Sequence, residues 1–475
     1  MPITSTHPQY ADQCERWARN RAACSGQDQV KRMTTEFLPD DNRLDQSREA
    51  RDRYARYLLR ATWLPVSGYT KQGLIGMMAR RPAEVELPTQ IEYAKENADG
   101  AGLSLDQIAK LALAEIIEVG RLGLLVDYPA AEPGLSAEAV AQMGLAARMT
   151  IYKAESIDNW KLANIGGTLR LVMVKLCEIA EVEKDEFLLD VEKRYRVLRF
   201  VDGVYTQTVY DENEQQIGEV ITPRQADGTA WDHIPFHILG ATTNTPEVDE
   251  ALISGIVDLN TAHYQMSADS AKNLHIHSGG TLVISSSMSN EQWKEANPQG
   301  VTVGADQGLF LGDTGNATLL QLDPASAVES KLERIETQMV AVGAHLISDT
   351  TRRDTAEAAR IDASGKASSL STAVSNVSEG IEAALEDMAR FMGGDPEIVQ
   401  YKLNQEFYPE NIDAQTMMAM IQLIDRQVIA VKDARTKLRA GGLIAQNRTD
   451  EEIDAEAEDI EPLLPVDPAV SGAEV

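Results

Sequence analysis

The sequence predicts an α+β fold class, and three observations carry that reading. Apolar residues recur at three- and four-residue spacing near both ends of the chain, the mark of amphipathic helices. Between residues 150 and 240 the pattern changes to strand-length runs divided by polar turns, among them "LRLVMVKLCEIAEV" and "KRYRVLRFVDGVYTQTVYDE". Beyond residue 245 long helical segments return, and they bracket one compact stretch with glycine-rich turns that reads as strands.

In chain order, residues 1 to 80 read as helices, through "HPQYADQCERWARNRAACSGQDQVKRM" and "SREARDRYARYLLRATWLPVSGYTKQGLIGMMARRP". Pro82 and Pro88 punctuate a short segment, and "LSLDQIAKLALAEIIEVGRLGLLVDYP" reads as a helix passing into a strand near Gly120 and Gly123. The β-rich stretch closes with "WDHIPFHILGA". A helix is then expected from Thr245 as cap, with Pro246 in its first position and Glu247, Asp249 and Glu250 at the positive end of its dipole. Its apolar stripe is thin: Leu252, Ile256, Leu259, Met266 and Leu274.

A compact insert follows, reading as a strand, a short helix around Trp293, and further strands. A second helix is expected to enter through Asp323 and Pro324. Its residues Val328, Leu332, Ile335, Met339, Val342 and Leu346 form a narrow seam. A third helix is expected over about 355 to 392, started by Asp354 with Glu357 in a capping-box pattern and reaching ~55 Å if continuous. It carries the stripe Leu370, Val374, Val377, Ile381, Leu385, Met388 and Met392, with a kink or close approach at Gly365. "PEIVQYKLNQEFYP" reads as a returning strand and residues 411 to 445 as Met-rich helices. The acidic, proline-bearing tail from residue 448 is expected to be disordered.

At 475 residues, two or three structural regions are expected. A formal net charge of −30 argues against a protein that wraps nucleic acid, because phosphate neutralisation needs a basic surface. It leaves room for one that lets DNA slide past. No apolar run reaches the roughly 18 residues of a membrane helix, and the start lacks a signal-peptide profile, so a reducing cytoplasm and no membrane are expected. Cys14, Cys24 and Cys177 fit no zinc spacing and are read as free thiols.

Catalytic patterns fail one after another. "SGKASS" at 364–369 holds half of a phosphate-binding loop, but Arg360 occupies the position that needs glycine. His275 and His277 could share a strand face and a metal, yet no third ligand is evident. His233 and His237 flank a proline in an apolar run, where core or turn roles explain them equally well. No nucleophile elbow occurs, and the carboxylates are too many for spacing to single out a pair. The reading is of a non-enzyme with no metal and no cofactor.

The order of parts resembles the portal protein of tailed bacteriophages, the head-to-tail connector, over nearly the whole chain. Locally it is similar to the branch of that family long carried as a domain of unknown function. The stretches concerned are "HPQYADQCERWARNRAACSGQDQVK", "IYKAESIDNWKL", "WDHIPFHILGA" and, most of all, "TAEAARIDASGKASSLSTAVSNVSEGIEAALEDMARFMG". These portals carry a "TA-x-EAR" helix start and end in "FMG"; the extra Ala358 in "AEAARI" is a mild departure. The resemblance implies a portal fold with an α/β wing (1–247 and a return strand 394–410), stem helices 248–274 and 326–346, and a small β-containing clip 275–325. It further implies a tunnel loop 347–356, a long radial helix 357–393, and wing and crown helices 411–447.

It implies a ring of about twelve copies at one capsid vertex, in contact with double-stranded DNA, the large terminase subunit, head-tail adaptor proteins, and major capsid and scaffolding proteins. Such a protein is made in the host cytoplasm and ends in the virion. In this reading Asn290, Glu291, Trp293 and Lys294 meet terminase or adaptor, although Trp293 serves equally as an anchor for the clip's own core. Leu332, Ile335, Met339 and Val342 pack the stem, and Ser348, Asp349, Thr350, Thr351, Arg352 and Arg353 face the DNA. Arg352 and Arg353 also have a plainer reading, as solvated charges paired with Asp349 or Asp354. A non-viral scaffold or ring protein without DNA passage, and a hydrolase within the α+β body, remain alternatives.

Overall fold

The computed structural model describes residues 2–40, 44–45, 47–129, 145–185, 187–278, 281–285, 288–296, 316–320, 326–347, 368–405, 407, 414–426, 428–440, 444 and 448–458. The chain divides into two units, Met1–Gln405 and Glu406–Val475.

Helices α1 (Pro8–Ser25), α2 (Gln27–Arg32), α3 (Arg48–Arg60) and α4 (Val66–Met78) open the first unit as expected. Strand β1 (Glu84–Glu86) and a 3-10 segment then lead to α5 (Leu105–Val119). Ser104 begins α5 with a capping box closed by Gln107, and Gly120 ends it at φ 78°, a left-handed conformation that costs a glycine nothing. The chain passes directly into β2 (Arg121–Asp127). This strand is buried almost throughout because it is central in the antiparallel sheet β3-β2-β9, with β3 at Arg148–Lys153 and β9 at Phe236–Gly240. A near-continuous apolar run in place of alternation is the mark of a strand covered on both faces.

The β-rich stretch folds as an antiparallel meander of β4 (Ile157–Ile165), β5 (Thr168–Asp185), β6 (Leu188–Val201), β7 (Val204–Tyr210) and β8 (Gln216–Ile221). Strands β5 and β6 outrun their neighbours. The β4 pairing ends at Leu176 of β5, and the β7 pairing begins only at Tyr195 of β6. Residues 178–185 and 188–194 therefore form a two-stranded arm beyond the sheet.

The first long helix, α6, runs over Ser254–Ser278 and not from Thr245. The expected cap region is held in turns instead: the Asp249 carboxylate accepts from the backbone N–H of Thr242 (2.6 Å) and Thr243 (3.0 Å). Asp249, expected as a dipole-favouring first-turn acid, instead closes a loop five residues before the helix starts. Burial along α6 also differs from the expected stripe. Asn260 is fully buried, accepts from the Ser67 N–H and hydroxyl, and donates to the Leu64 carbonyl, while Tyr264 packs edge-on against Trp63. The helix has a second buried side, facing α4, that apolar periodicity does not reveal.

The insert shows β10 (Thr281–Ser285), α7 (Asn290–Ala296) and β11 (Asn316–Leu320), the two strands antiparallel. Helix α8 (Ser326–Ile347) follows; its expected entry at Asp323 and Pro324 lies outside the described residues. The third helix, α9, spans Ser369–Met392 and buries Leu370, Val374, Val377, Ile381, Leu385 and Met388 of the expected stripe, with Met392 half-buried at its end. It does not run continuously from residue 355. Ser368 is extended (φ −70°, ψ 159°) and its hydroxyl accepts from the Ser371 N–H, an N-cap that starts a fresh helix. The expected start at Asp354 and Glu357, and Gly365, lie outside the described residues. The return strand is short: β12 (Gln400–Lys402) pairs with β1 after a 3-10 turn at Pro396–Ile398.

In the second unit, α10 (Ala414–Asp425) and α11 (Val431–Ala440) are helical as expected. The tail departs from expectation, since Asp450–Glu458 forms a helix, α12. Thr449 caps it in a box with Glu452, and Arg435, Arg439 and Arg448 pair with Asp454, Asp450 and Glu456. A run of acids that repels itself in isolation is held here by arginines on and after α11.

Candidate functional site

Helices α6 and α8 form the most distinctive construction of the first unit. A Cβ placed on Gly255 would lie 3.7 Å from Val342 Cγ1, and one on Gly343 would lie 3.9 Å from Ile256 Cδ1. Farther along, His263 Nε2 lies 3.1 Å from Glu336 Oε1. The register falls on α8 as it rises on α6, so the helices are antiparallel and close, with glycines where they approach. Ile335 and Met339 are buried, while Leu332 and Val342 are half-buried beside them. The four expected stem residues thus share a seam. Val340 and Leu274, on other sides of the pair, stand 72% and 62% exposed.

The other expected site residues are less assembled. Asn290, Glu291 and Lys294 are exposed on α7, a helix begun by a Ser289–Gln292 capping box, and Trp293 is half-buried there. Ser348, Asp349, Thr350, Thr351, Arg352 and Arg353 lie outside the described residues. His275 and His277 fall within α6 and not on a strand, and positions two apart in a helix do not share a face. The metal reading of that pair loses its geometric basis. Among the described residues no group of three or more His, Cys, Asp or Glu is arranged to hold a metal ion, and Cys14, Cys24 and Cys177 are free thiols.

One constellation was missed by sequence reasoning. Asp387 on α9 is fully buried, and its Oδ2 receives both His233 Nε2 (3.0 Å) and His237 Nε2 (2.9 Å). Its Oδ1 accepts from Arg390 at 2.6 Å. His233 Nδ1 in turn meets Asp232 Oδ1 at 2.7 Å, so both ring nitrogens face carboxylates. Burial lowers the His233 pKa, but the hydrogen bonds and charges of Asp387 and Asp232 outweigh it and the net shift is upward. Burial raises Asp387, and the two histidines more than reverse that, holding it well below the usual carboxylate range. Both imidazoles hydrogen-bond to carboxylates. The cluster fastens the 231–237 segment and β9 to α9. Position 387 lies inside an apolar stripe with no spacing rule linking it to 233 and 237, so only proximity in the fold reveals it.

A second ionic knot joins α1, α5 and the turn after β3. Arg21 reaches Glu115 (2.7 Å), Glu118 (3.3 Å) and Glu155 (2.5 Å), and Lys71 adds to Glu118 at 3.2 Å. These charges are paired side to side and point to no substrate.

Residues 253–392, from the start of α6 to the end of α9, match the family described as Domain of unknown function (DUF4055). No curated protein matches the chain. Among solved structures, the chain is similar to one from the neck of an empty gene transfer agent (GTA) particle computed with C6 symmetry, at 12% identity and TM-score 0.40, covering 79% of this chain and 90% of that one. A chain of the native gene transfer agent virion gives 11% identity and TM-score 0.39, covering 78% and 89%. One from the native particle neck computed with C12 symmetry gives 13% and 0.36, covering 77% and 86%.

Proposed function

We propose that the chain is a portal-type subunit, a copy of a ring at one capsid vertex through which double-stranded DNA is packaged and ejected. The observation that carries this reading is the antiparallel pair α6–α8 with its small β10–α7–β11 insert, followed by α9. Such a pair, thinly apolar and exposed on its outer sides, suits side-by-side packing in a closed ring, where each copy presents two different lateral faces. In this reading residues 1–247 and the return strand 394–410 are the wing, 248–274 and 326–346 the stem helices, 275–325 the clip, and 411–447 the wing and crown helices.

The strongly acidic balance of the chain supports the same reading, because a negative wall repels phosphate and leaves DNA mobile, whereas a basic wall would hold it. Arg352 and Arg353 are then the positive charges that the duplex meets at the narrowest part. Terminase and adaptors dock on α7, with Asn290, Glu291 and Lys294 outermost. The chemistry that drives DNA belongs to the docked motor. Electron microscopy and native mass spectrometry of the purified protein test the reading: rings of about twelve copies with an axial channel are expected. A stable monomer or dimer at micromolar concentration overturns it, as does ATP turnover by the isolated chain.

A further inference from the structure

We propose that the β5–β6 arm of one copy docks on the arginine-bearing face of α3 of the next copy, an inference that rests on the ring-forming reading above. The arm is an unusual thing to leave in water. A lone two-stranded ribbon is marginally stable, and among the described residues neither of its outer edges here has a neighbouring strand. Cross-strand pairing places Ile179 opposite Lys193, Glu181 opposite Val191 and Glu183 opposite Leu189 on one face. Ile179, Val191 and Leu189 are 71%, 65% and 62% exposed, and Phe187 at the tip is 89% exposed. That face is apolar toward the tip, with Glu181 and Glu183 set among the apolar groups and Lys193 at its base. Residues 178–194 carry Glu178, Glu181, Glu183, Asp185, Glu186, Asp190 and Glu192 against Lys184, Lys193 and Arg194.

Helix α3 is its complement. It buries little beyond Ala50, with Tyr54 and Tyr57 half-buried on the same side. The opposite side presents Arg48, Ala55 and Leu59 at helical spacing, flanked by Arg51 and Arg56, all exposed, with Leu59 at 77%. Five arginines stand in these 13 residues against Glu49 and Asp52, a basic island in a chain of net charge −30. Apolar groups ringed by acids thus face apolar groups ringed by arginines, the arrangement that gives an interface both burial and charge complementarity. Both halves sit on one chain and on different elements. The contact is therefore heterologous and closes only by repeating around a ring. A nucleic-acid partner fits α3 alone and leaves the acidic arm with no occupant.

Charge reversal in two separate variants tests this. One carries Glu181→Lys with Glu183→Lys on the arm, and the other carries Arg51→Glu with Arg56→Glu on α3; all four side chains are exposed. Each variant alone should lose ring assembly by about tenfold or more in the concentration required, while keeping the wild-type circular dichroism and melting curve. An equimolar mixture should assemble again, since alternating copies pair lysine with glutamate and glutamate with arginine. Phe187→Ser, which changes no charge, should weaken assembly independently. Normal assembly of either charge variant alone, or a mixture of folded variants that stays apart, overturns the docking while the wild-type ring leaves the portal reading standing. So does an α3 variant that assembles normally and loses only duplex binding, which would make α3 a nucleic-acid surface. A wild-type chain that forms no ring removes both.

Discussion

Asp387 shows how much one side chain can hold. Its carboxylate is fully buried and, among the described residues, meets the side chains of His233, His237 and Arg390. Asp387→Asn keeps the shape and removes the charge that these groups bind. Loss of such a charge-assisted hydrogen-bond acceptor costs about 1.5 to 3 kcal/mol, which urea unfolding of the purified protein should register.

The cluster also predicts a pH dependence. His233 is raised, so its contribution is complete below the ordinary imidazole range and fades as pH rises through its folded value. Asp387 is lowered, so its contribution is present above the ordinary carboxylate range and is lost only in strong acid. Between about pH 6 and pH 8 the melting temperature should therefore fall, and His233→Gln should flatten that part of the profile. A slope equal to wild type in His233→Gln would remove the cluster as its source.

Among the elements, α9 is placed with little room to spare. Gly380 faces β9 so closely that an added Cβ would sit 2.5 Å from Leu239 Cγ. Gly380→Ala should raise intrinsic helix propensity and yet destabilise the protein by about 1 to 3 kcal/mol, because the contact is overpacked. Restoration by pairing Gly380→Ala with Leu239→Ala, in a double-mutant cycle, checks the cause. The stripe of α9 was plain from spacing alone, whereas its start was not. Spacing and propensity extend the pattern by fewer than four turns before Ser369, but a helix in a protein is held by the face it buries, and the helix that buries this stripe starts at the Ser368 cap. The same physics, reversed, accounts for α12, whose acids find arginines that charge counting along the chain does not pair.

For the whole molecule, the acidity of the chain makes the DNA path a test of charge. Arg352→Ala with Arg353→Ala should leave ring assembly intact and lower the amount of DNA packaged or retained in particles. Unchanged packaging by the double variant returns the pair to solvated loop charges.

The α+β class, the order of helices and strands, the seam of α8 and the stripe of α9 were legible in the sequence, since each rests on spacing between near neighbours. Three features were settled only by tertiary structure: the late start of α6 beyond the Asp249 turn, the buried Asn260 and the meeting of Asp387 with two histidines some 150 residues away. The reason is the same in each case. Periodicity reports which face of an element is apolar, but a buried polar group is allowed only by the particular partner that folding brings to it, and no local pattern names that partner.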